Sequence, residues 1–168
     1  QCCLVGSEMC IRDRLVTEKI ENTSGSINFS LDDQYIFYSK LDENHRPRSI
    51  FRHQIGSSVN EDLLIFEEKT KAFTVSIGIS SDEKYYFINS SDHNTSEKYY
   101  FGIDEKKPEP KLIQQRKKGI IYSVNSWSGN FYMHTNEDAE DFKILISSNI
   151  ESKIWKTYLS LIHISEPT

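Results

Sequence analysis

The densest set of chemically capable residues in the sequence is Ser90-Ser-Asp92-His93, which brings hydroxyls, a carboxylate and an imidazole within four positions. Such groups suit a nucleophile activated by a base that an acid orients. Contiguity works against them, because neighbours along an extended chain point to opposite sides, and the polar surroundings read as a loop tip. His93 is therefore not expected to be catalytic. A serine nucleophile of the α/β type needs Gly-x-Ser-x-Gly on a tight strand-to-helix turn. The glycines stand at 6, 25, 56, 78, 102, 119 and 129, and no two are four apart. Nor do they cluster as a phosphate-cradling loop requires. His45, His53 and His134 have no His or Cys partner at metal-ligand spacing, so neither a metal nor a cofactor is expected. Glu67-Glu68 reads as an exposed strand end, and Arg116-Lys-Lys118 as a solvated strand end or turn. Trp127 and Trp155 read as core or sheet-interface residues. No catalytic, cofactor-binding or metal-binding residue is assigned anywhere in the chain.

Bulk properties narrow the classes further. The 168 residues are 37% hydrophobic and 12% aromatic, a globular composition. A net charge of −5 disfavours a nucleic-acid surface, which wants a basic face. No run approaches the roughly 20 apolar residues of a membrane span, and no charged-then-apolar leader is evident. Cys2, Cys3 and Cys10 all fall in the first ten residues, so neither a disulfide framework nor a zinc spacing is present. The expected location is the cytoplasm. Asn22, Asn28, Asn89 and Asn94 head glycosylation-like triplets, which read as chance in an Asn- and Ser-rich chain.

The elements that must carry any function are strands. Phe73, Val75, Ile77 and Ile79 alternate with Thr74, Ser76 and Gly78, the period of a half-buried strand. Ile27, Phe29 and Leu31 repeat the pattern, as do Phe142, Ile144 and Ile146. Runs such as Tyr35-Ile-Phe-Tyr38 and Tyr85-Tyr-Phe-Ile88 are aromatic and β-branched, which suits a pleated surface. The strands recur in fours. Second strands begin at 34, 84 and 130, and third strands at 49, 97 and 141. Turn residues recur in phase, at Asp32-Asp33, Ser81-Asp82-Glu83 and Ser128-Gly129. Four antiparallel strands every 40–50 residues or so are the signature of propeller blades. The fold expected is all-β, with about three four-stranded antiparallel blades of a β-propeller. A single β-sandwich would explain the strand content but not the in-phase turns. A protein-interaction scaffold of the WD40 kind would show Gly-His and Trp-Asp pairs in each blade, and neither dipeptide occurs.

The termini differ from this repeat. Leu159 to Thr168 can be encoded by CTGTCTCTTATACACATCTCCGAGCCCACG, whose reverse complement, read one base in, encodes Val5 to Asp13. The two ends thus resemble one synthetic sequencing tag translated in both directions. Residues 1–14 and 159–168 are set aside as non-native, leaving 15–158 as a partial propeller domain. Three blades leave two apolar faces uncovered, so the isolated chain is expected to be poorly soluble or partly molten.

Arg52-His-Gln-Ile-Gly56, Asp62-Leu-Leu-Ile-Phe-Glu-Glu68, Phe73-Thr-Val-Ser76, Ser80-Ser-Asp-Glu-Lys-Tyr-Tyr86 and Thr95-Ser-Glu97 follow one another in an order that carries a resemblance. From Leu15 to Tyr158 the chain resembles the N-terminal propeller of the oligopeptidase B (protease II) branch of the prolyl oligopeptidase family of serine peptidases. The resemblance implies a seven-bladed propeller capping an α/β-hydrolase domain that holds the Ser, Asp and His triad. It implies a parent enzyme that cleaves short peptides after Arg or Lys, with a prolyl-specific relative or a β-propeller interaction scaffold as alternatives. The partners implied are that catalytic domain and short basic peptides. None of the triad positions falls in this chain, so the fragment alone is expected to be inactive.

Overall fold

Alternating patterns of this kind bury one side of a strand, and the computed structural model, which describes residues 19–139 and 141–160, shows where each side goes. Among the described residues, β1 (Thr23–Phe29), β2 (Tyr35–Leu41), β3 (Pro47–Gln54) and β4 (Leu63–Glu67) form the first sheet. β5 (Thr74–Ile79), β6 (Tyr85–Ser91), β7 (Ser96–Gly102) and β8 (Lys111–Gln114) form the second. β9 (Tyr122–Trp127), β10 (Asn130–Thr135), β11 (Lys143–Ser147) and β12 (Lys156–Ser160) form the third. Every pairing joins sequence neighbours antiparallel, so each sheet is a meander. Two short 3-10 turns, Val59–Glu61 and Ile150–Ser152, precede β4 and β12. No helix among the described residues is long and apolar enough to cross a membrane.

The in-phase turns have a shared construction. In the first sheet Asp33 takes a left-handed φ of 54°, and in the second Glu83 does the same at 54°. Asp32 Oδ1 accepts from the Ser30 hydroxyl at 2.5 Å, and Asp82 Oδ1 from the Ser80 hydroxyl at 2.8 Å. The serine hydroxyl in turn accepts from the Tyr35 amide in one case and the Tyr85 amide in the other. Short side chains that bond their own backbone stabilise such turns. The third turn is shorter. Ser128 and Gly129 have φ of 50° and 77°, the doubly positive pattern of a two-residue hairpin matched to strand twist.

The sheets pack in series. Phe37, Ile50 and Ile65 of the first sheet meet Val75, Tyr86, Ile88 and Phe101 of the second. The opposite face of the second sheet presents Phe87, Tyr100 and Ile113 to Tyr122, Val124, Phe131 and Met133 of the third. The unbroken apolar run of β6 follows from this, since Tyr86 and Ile88 face one neighbour while Phe87 faces the other. Polar ties cross both seams. The Tyr86 hydroxyl donates to Phe29 O at 3.0 Å, and the Ser126 hydroxyl to Asp82 Oδ2 at 2.7 Å. A middle sheet covered on both faces rules out the two-sheet sandwich and matches adjacent propeller blades.

Three details differ from the sequence reading. Trp127 is 57% exposed, because Ser126 is the residue of that pair turned toward the second sheet. Phe142 does not open β11; it has a left-handed φ of 66° and its ring stacks on His134 at 4.7 Å. β1 begins at Thr23, ahead of the alternating Ile27. Trp155 packs partly buried against the seam between the second and third sheets, as anticipated. Of the terminal segments set aside, 1–14 and 161–168 lie outside the described residues, and Leu159 and Ser160 pair with Ile144 and Lys143 to complete β12.

Candidate functional site: the seams between the sheets

Each sheet hands the chain to the next through a polar connector, and the two connectors meet at the first seam. Glu68 lies just past β4 and Arg116 just past β8, equivalent places one sheet apart. Arg116 Nη2 donates to Glu68 Oε2 at 2.8 Å and to Glu97 Oε2 at 2.5 Å. Its Nε reaches the same Glu97 oxygen at 2.8 Å, and its backbone amide donates to Glu97 Oε1 at 3.0 Å. The guanidinium carbon sits 4.2 Å from the centre of the Phe73 ring, close enough for a cation–π contact. Glu68 also accepts from the Ser90 hydroxyl and from the Thr70 amide. One arginine thus ties the exit of the first sheet to β7 of the second and to Phe73 at the entry to β5.

The expectations of an exposed Glu68 and a solvated Arg116 are both corrected here. Glu68 and Glu97 expose only 4% and 6% of their side chains, and Arg116 26%. Burial by itself would push the Glu68 carboxyl up. Hydrogen bonds from Ser90, Arg116 and Thr70 outweigh it and bring the pKa down to about 2. Burial and the hydrogen bond to Glu97 push the Tyr99 phenol up to about 12. At neutral pH Glu68 is therefore an ionised acceptor with its lone pairs engaged, suited to holding a seam rather than to moving protons. Lys117, next along, pairs with Glu137, so Arg116 and Lys117 are divided among three acidic partners.

A second buried constellation lies in the first sheet. His53 Nδ1 is 2.6 Å from Asp62 Oδ1, and the Tyr38 hydroxyl donates to Asp62 Oδ2 at 2.7 Å. An acid that orients an imidazole is half of a hydrolytic triad. Here both side chains are out of solvent, so no substrate reaches the ring. Burial and the neighbouring Asp62 hold the Tyr38 phenol far above its ordinary pKa, so it stays a donor. The arrangement fixes β2, β3 and the approach to β4.

The contiguous set around His93 disperses. Ser90 turns into the seam toward Glu68, and Asp92 Oδ1 is engaged by the Asn94 and Thr95 amides in its own loop. His93 lines an open cleft of about 610 Å³ with Arg46, Thr74, Ser91 and Asn94. Among the described residues, His45, His93 and His134 make no hydrogen bond with a hydroxyl, and no group of three or more His, Cys, Asp or Glu is placed to hold a metal ion. On the opposite end of the first seam, a cleft of about 470 Å³ carries Arg52, whose guanidinium lies 4.4 Å from the Tyr35 ring centre. Arg52 Nη1 donates to Lys106 O at 2.9 Å, so this cation closes the cleft wall.

A protein-family model for the N-terminal β-propeller domain of prolyl oligopeptidase matches residues 9–160. This chain belongs to the prolyl oligopeptidase family. Protease 2 of Moraxella lacunata is 37% identical over 133 residues, covering 78% of this chain and 19% of that protein. Oligopeptidase B from Trypanosoma brucei, solved in a closed form with covalently bound antipain, superposes with a TM-score of 0.76 at 27% identity, covering 80% of this chain and 20% of that one. Oligopeptidase B from Leishmania major gives a TM-score of 0.76 at 23% identity, over 84% of this chain and 21% of that one. The chain therefore spans about a fifth of the length of these family members. The three serial sheets are blades of the family's propeller, and in the relatives that propeller segment is joined to a much larger remainder.

Proposed function

We propose that the chain supplies three blades of a propeller that gates access to the active site of a serine oligopeptidase, one that cleaves short peptides after Arg or Lys. The observation that carries the reading is the serial packing of three meander sheets within a stretch that the family's propeller model covers nearly end to end. The likeness to Protease 2 and to oligopeptidase B favours basic-residue cleavage over prolyl specificity. The triad belongs to the peptidase domain of the longer polypeptide. Its serine attacks the scissile carbonyl, its histidine serves as general base, and backbone donors hold the oxyanion. The part played by the residues described above is exclusion. Seams tied by Arg116, Tyr86 and Ser126 keep the blades from separating, so a flexible peptide passes and a folded protein does not.

The test uses a longer polypeptide carrying these blades and the peptidase domain. It should turn over short peptides with Arg or Lys before the scissile bond, resist Pro at that position, and spare a folded protein bearing the same sites. Preference for Pro would reassign the branch. Equal cleavage of the folded protein would remove the gating role.

A further inference from the structure

Lys98 differs from the other lysines in where its strand puts it. Residues alternate across β7, so Lys98 points with the buried Tyr100 into the second seam, away from Glu97 and Tyr99. The repeat fixes the equivalent place in the first seam. The shared turns align Tyr35 with Tyr85, and hence Ser39 with Asn89. Ser39 pairs with Ile50, and Asn89 with Lys98. Ile50 is fully buried in the first seam. A position that one seam fills with isoleucine holds an amine in the next.

No charge answers that amine. Its cross-strand neighbours are Asn89 on β6 and Gln114 on β8, both neutral amides. Asn89 donates to the Ser91 hydroxyl and Gln114 to Glu137. Tyr122 reaches β7 from the third sheet, its hydroxyl accepting from the Lys98 backbone amide at 2.8 Å, and burial holds this phenol protonated, far above its ordinary pKa. Among the described residues Lys98 Nζ has no hydrogen-bond or ion-pair partner, yet the nitrogen is not sealed from solvent. Burial pulls its pKa down to about 8. Lys111 and Lys117 are the contrast, because Glu151 and Glu137 hold their amines protonated. Converting the Lys98 ammonium to an amide would remove a charge that the seam cannot solvate and keep the packed stem.

We propose that Lys98 is an acylation site, at which an acyl phosphate transfers a small acyl group to Nζ and the neutral product tightens the second seam. The unprotonated amine attacks the carbonyl carbon. A C–N bond forms, the C–O bond to phosphate breaks, phosphate leaves with that electron pair, and the amine proton passes to water.

The test uses the longer polypeptide that carries these blades and the peptidase domain, and neither readout depends on peptidase activity. The polypeptide is treated with acetyl phosphate to low conversion, at a pH near the Lys98 pKa of about 8, and mapped by mass spectrometry. About half of Lys98 is then neutral, roughly a hundredfold more than for an ordinary lysine. A lower pKa also weakens the nucleophile, a trade-off known for thiols, so Lys98 should be acetylated about tenfold faster than Lys111 or Lys117. An advantage below about threefold would overturn the proposal, as would labelling confined to urea-unfolded protein. Hydrogen exchange reads the seam itself. In Lys98→Gln, which carries a neutral amide, the amides of β7 and β9 should exchange more slowly than in the wild type, and in Lys98→Arg, which keeps the charge, they should not. Unchanged or faster exchange in Lys98→Gln would mean that the ammonium costs the seam nothing, and would overturn the proposal too. Slowing in both variants would assign the effect to packing and equally overturn it.

Discussion

Replacing Arg116 by methionine removes the one cation shared by two buried carboxylates while keeping much of the side chain's apolar length. Glu68 and Glu97 are then left facing each other across the seam, 4% and 6% exposed. Removing one partner of a buried ion pair costs about 3–5 kcal/mol, because the charge left behind is uncompensated. The contact with Phe73 adds about 0.5–1 kcal/mol to the loss. Arg116 itself is 26% exposed, so the lower end, about 3 kcal/mol, is the figure expected. With a urea m-value of about 1–3 kcal/mol/M, the unfolding midpoint falls by roughly 1–3 M. The pH dependence supplies a sharper signature. In the wild type the Glu68 pKa is lowered from 4.5 to about 2, so its contribution is complete above about pH 4.5 and is lost as pH falls toward 2. In Arg116→Met burial dominates and lifts the Glu68 pKa above its unfolded value. The folded state then holds a proton that the unfolded state has lost, and stability falls as pH rises through that window. Urea titrations at a series of acidic pH values, at fixed chain concentration, should show slopes of opposite sign for the two proteins. A midpoint loss below a third of that predicted, with slopes of the same sign, would refute the reasoning.

Three other perturbations follow from the same geometry. Tyr122→Phe strips a buried hydroxyl that accepts from the Lys98 amide at 2.8 Å and donates to Gln114 O at 2.6 Å, and should cost about 1–3 kcal/mol in thermal or urea unfolding. Asp62→Ala leaves Tyr38 and His53 without their shared acceptor and should cost at least as much, about 2–4 kcal/mol, with a visible change in the near-ultraviolet tyrosine signal. Burial lowers the Lys98 pKa from 10.5 to about 8, so wild-type stability should rise between about pH 8 and 10.5, where only the unfolded state holds the proton. Lys98→Met should abolish that rise and stabilise the chain at neutral pH by about 1 kcal/mol.

What could be read from the residues and what could not divides along a physical line. Strand identity was legible because each strand buries one or both faces, and the period appears directly in runs such as Thr74–Ile79 and Tyr85–Ser91. The turns were legible because Asp33, Glu83 and Ser128-Gly129 answer a local backbone need. The pairing of Glu68 with Arg116 was not, because 48 residues separate them and each connector taken alone looks solvated. The only hint was that both follow the fourth strand of a repeat, so superposing the repeats places them one sheet apart. His53 and Asp62 are nine residues apart, across a loop and a 3-10 turn, and no spacing rule joins them. The face Trp127 takes was not legible, because apolar character fixes that a side chain seeks cover but not which of two faces it occupies. Ser126, small and polar, takes the covered side.

The order of the sheets is the claim on which the rest depends, and an experimental structure of a polypeptide containing residues 19–160 tests it most directly. The account predicts the second sheet between the other two, with the Tyr86 hydroxyl on Phe29 O across one seam and the Ser126 hydroxyl on Asp82 across the next. A structure in which the first and third sheets pack directly on each other, leaving one face of the second in solvent, would contradict it.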